Sequence, residues 1–560
     1  MRRRIGVLLG VALLVVAGAV VWVRTTHDGG GPGGTASPTA SASTTDKRPN
    51  IVLVLMDDFS LELLQSMPEA MRMASEGATY DNAFVMDSLC CPSRAVLLTG
   101  QTPHQTGVHT NAPNSKDRPM GGWPAFVKHG NLRKQFAVAL QRSGYTTGFI
   151  GKYLNGYDMH WGRNGAPVKV PGWTEWDVYN HKAYEEWGFK STHLDADGDL
   201  QVVSHPKPPA DASDAVKDKA YATNVSSDLA LDFIKRHSED GQPYFLEVAT
   251  HAPHTQQKAA YPGDSPDFPP AFADRSAHDS LVGGNCGTVA CTQVDLSWLK
   301  GFDDPRGDNV PTYLRKDGTT APAKPWRTNP ILMTPRKAVR RLRDRVRMVQ
   351  SVDRMLTRIR AAVGDDTYVV LTSDNGFHLG QHQMNGGKGT PYDSDTRVPM
   401  VVVGPGVKPG HRSQFVSEVD LAPTFEDLAG LTPGKYVAGR SFAPTLSHPR
   451  APGNHYAFFE HTWAKTMPGE VDADTAVHGM IDYIPSYIGV RGKRGLLVRF
   501  DLDKGPGVDY AWELYDYKVH PWEDTNVFAR DHDKPYARDL MRRLMEFDHC
   551  RPAQCRAAAR

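Results

Sequence analysis

Four short apolar runs constrain this chain more than any other feature. They cover residues 51–56, 146–150, 244–249 and 367–372. Short, near-continuous apolar runs are the pattern of strands buried on both faces of a parallel sheet. Helix-period segments lie between them. The clearest is 335–363, where Val339, Leu342, Val346, Val349, Val352, Leu356, Ile359 and Val363 recur every three or four positions. The many arginines of that segment are read as its solvated face. Alternating strands and helices predict an α/β sandwich, a large and mostly parallel sheet between helices. Residues 401–403 offer a further strand. Past residue 445 the pattern changes: 487–490 and 495–500 predict strands of a smaller antiparallel unit, and 536–547 a final helix. Segment 255–335, rich in Pro, Gly, Asp and Lys, predicts long surface excursions.

The polar residues at the end of each run matter as much as the run itself. The first ends in Asp57-Asp58, the second in Gly151-Lys152, the third in Thr250-His251-Ala252-Pro253-His254 and the fourth in Ser373-Asp374-Asn375-Gly376. Open α/β sheets bind ligands beyond the carboxyl ends of their strands. Four polar strand ends therefore predict one shared site. Asp57, Asp58, Asp374 and Asn375 offer only oxygen donors, which suit Ca²⁺ or Mg²⁺ better than zinc. The competing readings are a helix cap for Asp57-Asp58 and a simple turn for Asp374-Asn375-Gly376. Lys152, Lys388 and Arg94 are candidate anion binders. His254 is a candidate general acid, and His251, His378 and His382 are weaker candidates for the same neighbourhood.

The chain has 64 Lys+Arg against 63 Asp+Glu. That balance gives no global footprint for a nucleic-acid partner. Arg2, Arg3 and Arg4 precede an apolar run over 5–23, the pattern of an export signal. The run is long enough to be either a cleaved signal peptide or an uncleaved membrane anchor. Either way the bulk of the chain is expected outside the cytoplasm, secreted or held at the cell surface. Residues 25–48 read as a flexible linker. The expected organisation is therefore 1–24 signal or anchor, 25–48 linker, 49–445 catalytic domain and 446–560 a C-terminal α+β subdomain.

In an exported protein, the CxxxxC pairs Cys286/Cys291 and Cys550/Cys555 predict two small disulfide loops, with zinc as the competitor. Cys90 and Cys91 are adjacent and stand apart. Pro92 fits a first helical turn, which places Cys90 at a helix N-terminus. A reactive thiolate and a strained vicinal disulfide are both open readings there.

Cys90-Cys91-Pro92-Ser93-Arg94, followed by Leu98-Thr99-Gly100, resembles the sulfatase signature C-x-P-S-R-x-x-x-L-T-G. The resemblance runs on through Asp57-Asp58, Gly151-Lys152, His254, Asp374-Asn375-Gly376, Lys388, Arg397-Val398-Pro399 and Asp420-Leu421-Ala422-Pro423-Thr424. Within the family, Ser88-Leu89-Cys90-Cys91, Gly151-Lys152-Tyr153-Leu154-Asn155, Pro171-Gly172-Trp173 and Ala252-Pro253-His254 look like N-acetylglucosamine-6-sulfatases. Many other sulfatases carry histidine where this chain has Asn155.

The resemblance implies hydrolysis of sulfate monoesters on a sulfated carbohydrate. It implies that Cys90 is oxidised to Cα-formylglycine (3-oxoalanine) by a separate formylglycine-generating enzyme, leaving Cys91 a spectator. It further implies one Ca²⁺ held by Asp57, Asp58, Cys90, Asp374 and Asn375. Arg94 would help to polarise the aldehyde, Lys152 and Lys388 would bind sulfate oxygens, and His254 would serve the leaving oxygen. Three alternatives stand beside this reading. They are a phosphate or phosphonate ester hydrolase using the same site, a glycan-binding pseudoenzyme with unmodified Cys90, and a cysteine hydrolase pairing Cys90 with His254.

Overall fold

The apolar runs are the central strands of one sheet. The computed structural model describes residues 48–158, 167–194, 198–256, 258–265, 267–276, 282–302, 304, 309–326, 332–464, 484–502 and 510–560. The expected signal or anchor and all but the last residue of the linker lie outside these. Among the described residues no helix is long and apolar enough to cross a membrane.

The first strands are β1 (Asn50–Met56), β2 (Ala78–Phe84), β3 (Thr146–Gly151), β4 (Glu175–Tyr179), β5 (Phe189–Leu194), β6 (Leu200–His205), β7 (Tyr244–Ala249), β8 (Thr312–Leu314) and β9 (Thr320–Pro322). They are followed by β10 (Thr367–Ser373), β11 (His378–Leu379), β12 (Gly386–Gly387), β13 (Met400–Val403), β14 (Gly410–Ser417), β15 (Tyr456–His461), β16 (Tyr487–Gly492), β17 (Gly495–Asp501) and β18 (Tyr510–Asp516).

Ten strands form the large sheet, in the order β14-β2-β13-β10-β1-β7-β3-β4-β5-β6. The central strands β10, β1, β7, β3 and β4 are parallel. The flanks mix in antiparallel pairs: β13 against β10 and β2, and the β4-β5-β6 meander. The predicted α/β sandwich is thus parallel at its centre and mixed at its edges.

Alternation along β1 shows why both faces are covered. Val52, Val54 and Met56 join one apolar cluster with Leu342, Val349 and Leu356 of the helix Pro335–Ala362. Ile51, Leu53 and Leu55 join the opposite cluster with Leu97, Phe126 and Phe136. Each such buried aliphatic side chain contributes roughly 1.5–3 kcal/mol. The long helix matches the predicted 335–363, but its arginines are not all solvated. Arg345 is fully buried, donating to Ser60 Oγ at 3.0 Å and to the Phe377 and Asp58 carbonyls.

A second, antiparallel sheet has the order β15-β16-β17-β18-β8-β9. The helix Pro535–Phe547 covers it with Leu540, Leu544 and Phe547. Two of its strands, β8 and β9, come from the 255–335 excursion. The disulfides Cys286–Cys291 and Cys550–Cys555 are both formed, and neither Cys90 nor Cys91 joins a disulfide.

Candidate active site

Register brings the chemistry together. Met56 lies opposite Ser373, Leu55 opposite Ala249, and Gly151 opposite Ala249. The residues just beyond these strand ends therefore converge at one edge of the sheet. Gly151 has φ +101°, and a Cβ there would lie 2.0 Å from the Ala249 carbonyl oxygen. Only glycine permits that close turn into Lys152.

Asp57 and Asp58 do not cap a helix, because the following 3₁₀ turn begins after Ser60. Asp58 holds a left-handed backbone, φ +58°. That conformation costs a non-glycine residue about 1–3 kcal/mol and persists where its surroundings enforce it. Its N–H donates to Asp374 Oδ1 at 3.1 Å, and its carbonyl accepts from Arg345.

Cys90 is the first residue of the helix Cys90–Thr99, with Pro92 in its first turn. Gly100, at φ +65°, closes its other end. The Cys90 Sγ lies 3.3 Å from Asp57 Oδ1 and 3.9 Å from Asp58 Oδ1, and accepts from Lys388 Nζ at 2.8 Å. Lys388 also donates to Asp58 Oδ1 at 2.6 Å, and Lys152 to Asp57 Oδ2 at 2.5 Å. Arg94 donates to Asp374 Oδ2 at 2.8 Å and to the Lys152 carbonyl at 2.6 Å. Asn375 Nδ2 donates to Asp58 Oδ1 at 2.6 Å. His254 Nε2 lies 3.5 Å from both Asp58 Oδ2 and Lys388 Nζ. All nine sequence-predicted site residues are thus joined in one buried network.

Three carboxylates face three fixed cations. Burial alone would raise Asp374, but Arg94, Lys152 and Lys388 outweigh it and hold its carboxyl at about 2. Burial, reinforced by Asp374, raises Asp57 even though Lys152 pulls it down. Burial opposes the charge on Lys152, yet Asp57 keeps that ammonium well above the ordinary lysine range. Burial and then Asp57 push the Cys90 thiol well above its ordinary value. The helix N-terminus does not rescue a thiolate there.

The donor set fits a hard cation. Carboxylate, thiol and imidazole atoms of Asp57, Asp58, Cys90 and His254 lie within 4.8 Å of one another. Asn375 Oδ1 is a buried acceptor with no hydrogen-bond donor, and Asp58 Oδ2 has only the His254 imidazole, 3.5 Å away. Such atoms each cost about 1–3 kcal/mol unless something else satisfies them. This is a possible metal-binding site built mainly from oxygen.

The remaining histidines divide. His251 is buried with its ring edge-on to Tyr184, the ring centroids 5.0 Å apart, and burial together with Lys152 and Arg94 drives its pKa well below the usual range. His378 instead pairs with Asp395 at 3.0 Å, and His382 with Asp304 at 3.2 Å. Asn155 donates its N–H to Cys91 Sγ at 3.2 Å and accepts from Tyr184 Oη at 3.4 Å. Tyr184 is not legible as a site residue in the sequence: it sits on a single 3₁₀ turn between strands, without periodicity or motif to mark it. Arg345 is hidden there for a different reason, as one more arginine on a basic helix face.

The Sulfatase family profile matches residues 49–431, and that of N-sulphoglucosamine sulphohydrolase, C-terminal, matches 380–549. The chain belongs to the sulfatase family. It is 31% identical over 419 residues to the extracellular sulfatase SULF-1 homolog of Drosophila melanogaster, covering 72% of this chain and 32% of that one. It is 30% identical over 415 residues to human N-acetylglucosamine-6-sulfatase, covering 71% and 64%. The chain thus spans between about a third and two thirds of the length of these two relatives. Among solved structures, a protein in complex with its substrate D-glucosamine-2-N,6-O-disulfate superposes with a TM-score of 0.60 at 21% identity, covering 91% of this chain and 98% of that one. The phosphonate monoester hydrolase of Agrobacterium radiobacter superposes with a TM-score of 0.56 at 22% identity, covering 91% and 96%. At these identities the superpositions speak for a shared fold.

Proposed function

We propose that this chain hydrolyses sulfate monoesters on a sugar resembling N-acetylglucosamine-6-sulfate. The observation that carries the proposal is the juxtaposition at the sheet edge. Cys90 opens a helix there, faced by three carboxylates and three fixed cations. A site balanced in this way suits a divalent cation and an anionic ester together. The roughly 30% identical N-acetylglucosamine-6-sulfatases support the sugar.

Asp57, Asp58, Asp374, Asn375 and residue 90 would hold the cation, which we assign as one Ca²⁺. Hydrated formylglycine at position 90, once made by a maturation enzyme, supplies an oxygen nucleophile in place of a thiol. The chain's own residues do the rest. Lys152 and Lys388 bind sulfate oxygens and offset charge that builds during transfer, preorganised by Asp57 and Asp58. Arg94, anchored on Asp374 and the Lys152 carbonyl, holds the residue-90 oxygens in place. His254 donates a proton to the departing sugar oxygen. Burial of the whole network excludes bulk water.

Export accords with the basic and apolar N-terminus and with relatives named as extracellular. We read 1–24 as the export segment, as a cleaved signal or an anchor, with a catalytic unit over 49–445 and a C-terminal unit over 446–560.

The test is sulfate release from N-acetylglucosamine-6-sulfate by protein made with and without a formylglycine-generating enzyme. Aryl phosphate and phosphonate monoesters are assayed alongside. Maturation-dependent sulfate release that is lost on chelation is expected. Preference for a phosphorus ester, or activity without maturation, contradicts the proposal.

A further inference from the structure

We infer that Tyr184 is a positioning residue for the sugar, a wall against which the leaving group packs. The inference rests on the proposed sulfatase reading and extends it to a residue outside the catalytic set. Tyr184 lies on a single 3₁₀ turn, His181–Glu185, between β4 and β5. Three features tie it to the site. Lys152 Nζ stands 5.0 Å from its ring centroid. The His254 ring centroid lies 4.5 Å away and that of His251 5.0 Å away. Its hydroxyl donates to Asn155 Oδ1 at 3.4 Å.

The turn that carries it is held firmly. Glu186, fully buried and at φ +63°, donates its N–H to the Ala183 carbonyl and accepts from the Ala222 N–H at the start of the helix Ala222–His237. The site's other side chains, Lys152, His254 and His251, are almost fully buried, whereas Tyr184 is half-buried. Tyr184, aromatic and only partly buried, therefore stands beside both a sulfate-binding lysine and the imidazole assigned to the leaving oxygen. A pyranose ring joined to the sulfate has an apolar C–H face and hydroxyl edges. An aromatic face with a polar tip is complementary to both.

The test compares Tyr184→Ala, Tyr184→Leu and Tyr184→Phe in the matured enzyme. The readouts are KM and kcat on N-acetylglucosamine-6-sulfate and the inhibition constant of inorganic sulfate, which needs the anion site but no ring. Tyr184→Ala and Tyr184→Leu are expected to raise KM about 10-fold, the size of a lost aromatic contact. The sulfate inhibition constant should stay unchanged, and Tyr184→Phe should retain most of the affinity. Parallel weakening of sulfate and sugar would mean that Tyr184 only braces Lys152, and would overturn the inference, as would an unchanged KM in the Ala and Leu variants. Wild-type enzyme inactive on the sugar would overturn the functional reading and this inference with it. Active wild type with either of the preceding outcomes overturns the inference alone.

Discussion

Two of the largely buried acidic clusters among the described residues are built on opposite plans. One is the sheet edge around Asp57, Asp58 and Asp374. The other joins the short helix Asp393–Thr396, which follows β12, to the second sheet through Asp393, Glu513 and Glu523. In the second cluster all six carboxylate oxygens have protein partners. Arg491 and Tyr517 bind Asp393, and the Asp393 N–H serves both Glu523 oxygens. Tyr392 and Tyr515 share one oxygen of Glu513, and Trp326 Nε1 donates to the other. At the sheet edge Asn375 Oδ1 has no donor, Asp58 Oδ2 has only the His254 imidazole 3.5 Å away, and Asp58 carries a strained backbone. A satisfied acidic cluster stabilises a fold. An unsatisfied one, enforced by the sheet around it, is poised for a ligand.

The sharpest way to break this comparison is at residue 90. Cys90→Ser and Cys90→Ala are both expected to lower turnover by on the order of 10³-fold or more, with little change in melting temperature. Normal sulfate release by either variant would contradict the assigned nucleophile.

The cation is next. Asp58→Asn should lower kcat/KM by about 10²–10³-fold. Chelation should lower the melting temperature of the wild type but not that of the variant, because a ligand bound only to the folded state contributes RT ln(1 + [L]/Kd). Equal responses to chelator would place the cation elsewhere.

The satisfied cluster should behave in the opposite way. Arg491→Ala leaves Asp393 without its main partner. Denaturant titration should show a loss of about 3–5 kcal/mol, while the folded fraction keeps its kcat/KM. A large loss of activity with stability intact would erase the distinction between the clusters.

The remaining effect, spread over several pH units, concerns a further buried acid, Glu247. It sits on β7 opposite Leu53 and Phe149. Burial raises its carboxyl from 4.5 to about 8 despite the pull of Arg94. A raised folded-state pKa means that the native state keeps a proton the unfolded chain has released. Stability should therefore fall as pH rises from about 4.5 through about 8, by up to about 1.4 kcal/mol per pH unit from this group. Glu247→Gln should flatten that slope in melting curves taken across the range. An unchanged slope would mean that Glu247 titrates normally.

Much of the site was legible in the sequence because strand ends are local signals. An apolar run with Asp57-Asp58 or Asp374-Asn375 at its end announces both the strand and the chemistry at its tip. Sheet register then needs only to align the tips. The C-x-P-S-R spacing marked Cys90 over Cys91, and the long helix and both disulfide loops were equally local. The features that stayed hidden are set by distant partners. The Asp393–Arg491 contact joins residues 98 apart. Arg345 is buried by groups on other segments of the chain, and β8 and β9 find their sheet only through β18. Tyr184 matters through neighbours on two other segments, which no pattern in its own turn records.

The central claim is that Cys90 serves as a precursor and not as a thiol. Its buried sulfur beside Asp57 and its raised pKa argue against a working thiolate. The most direct measurement is the mass of the peptide spanning Ser88–Arg94 from protein made with a formylglycine-generating enzyme, taken together with sulfate release from the same preparation. We predict that residue 90 has lost its sulfur and gained an aldehyde oxygen, in proportion to activity. Full activity from protein whose Cys90 remains an intact thiol would contradict the account.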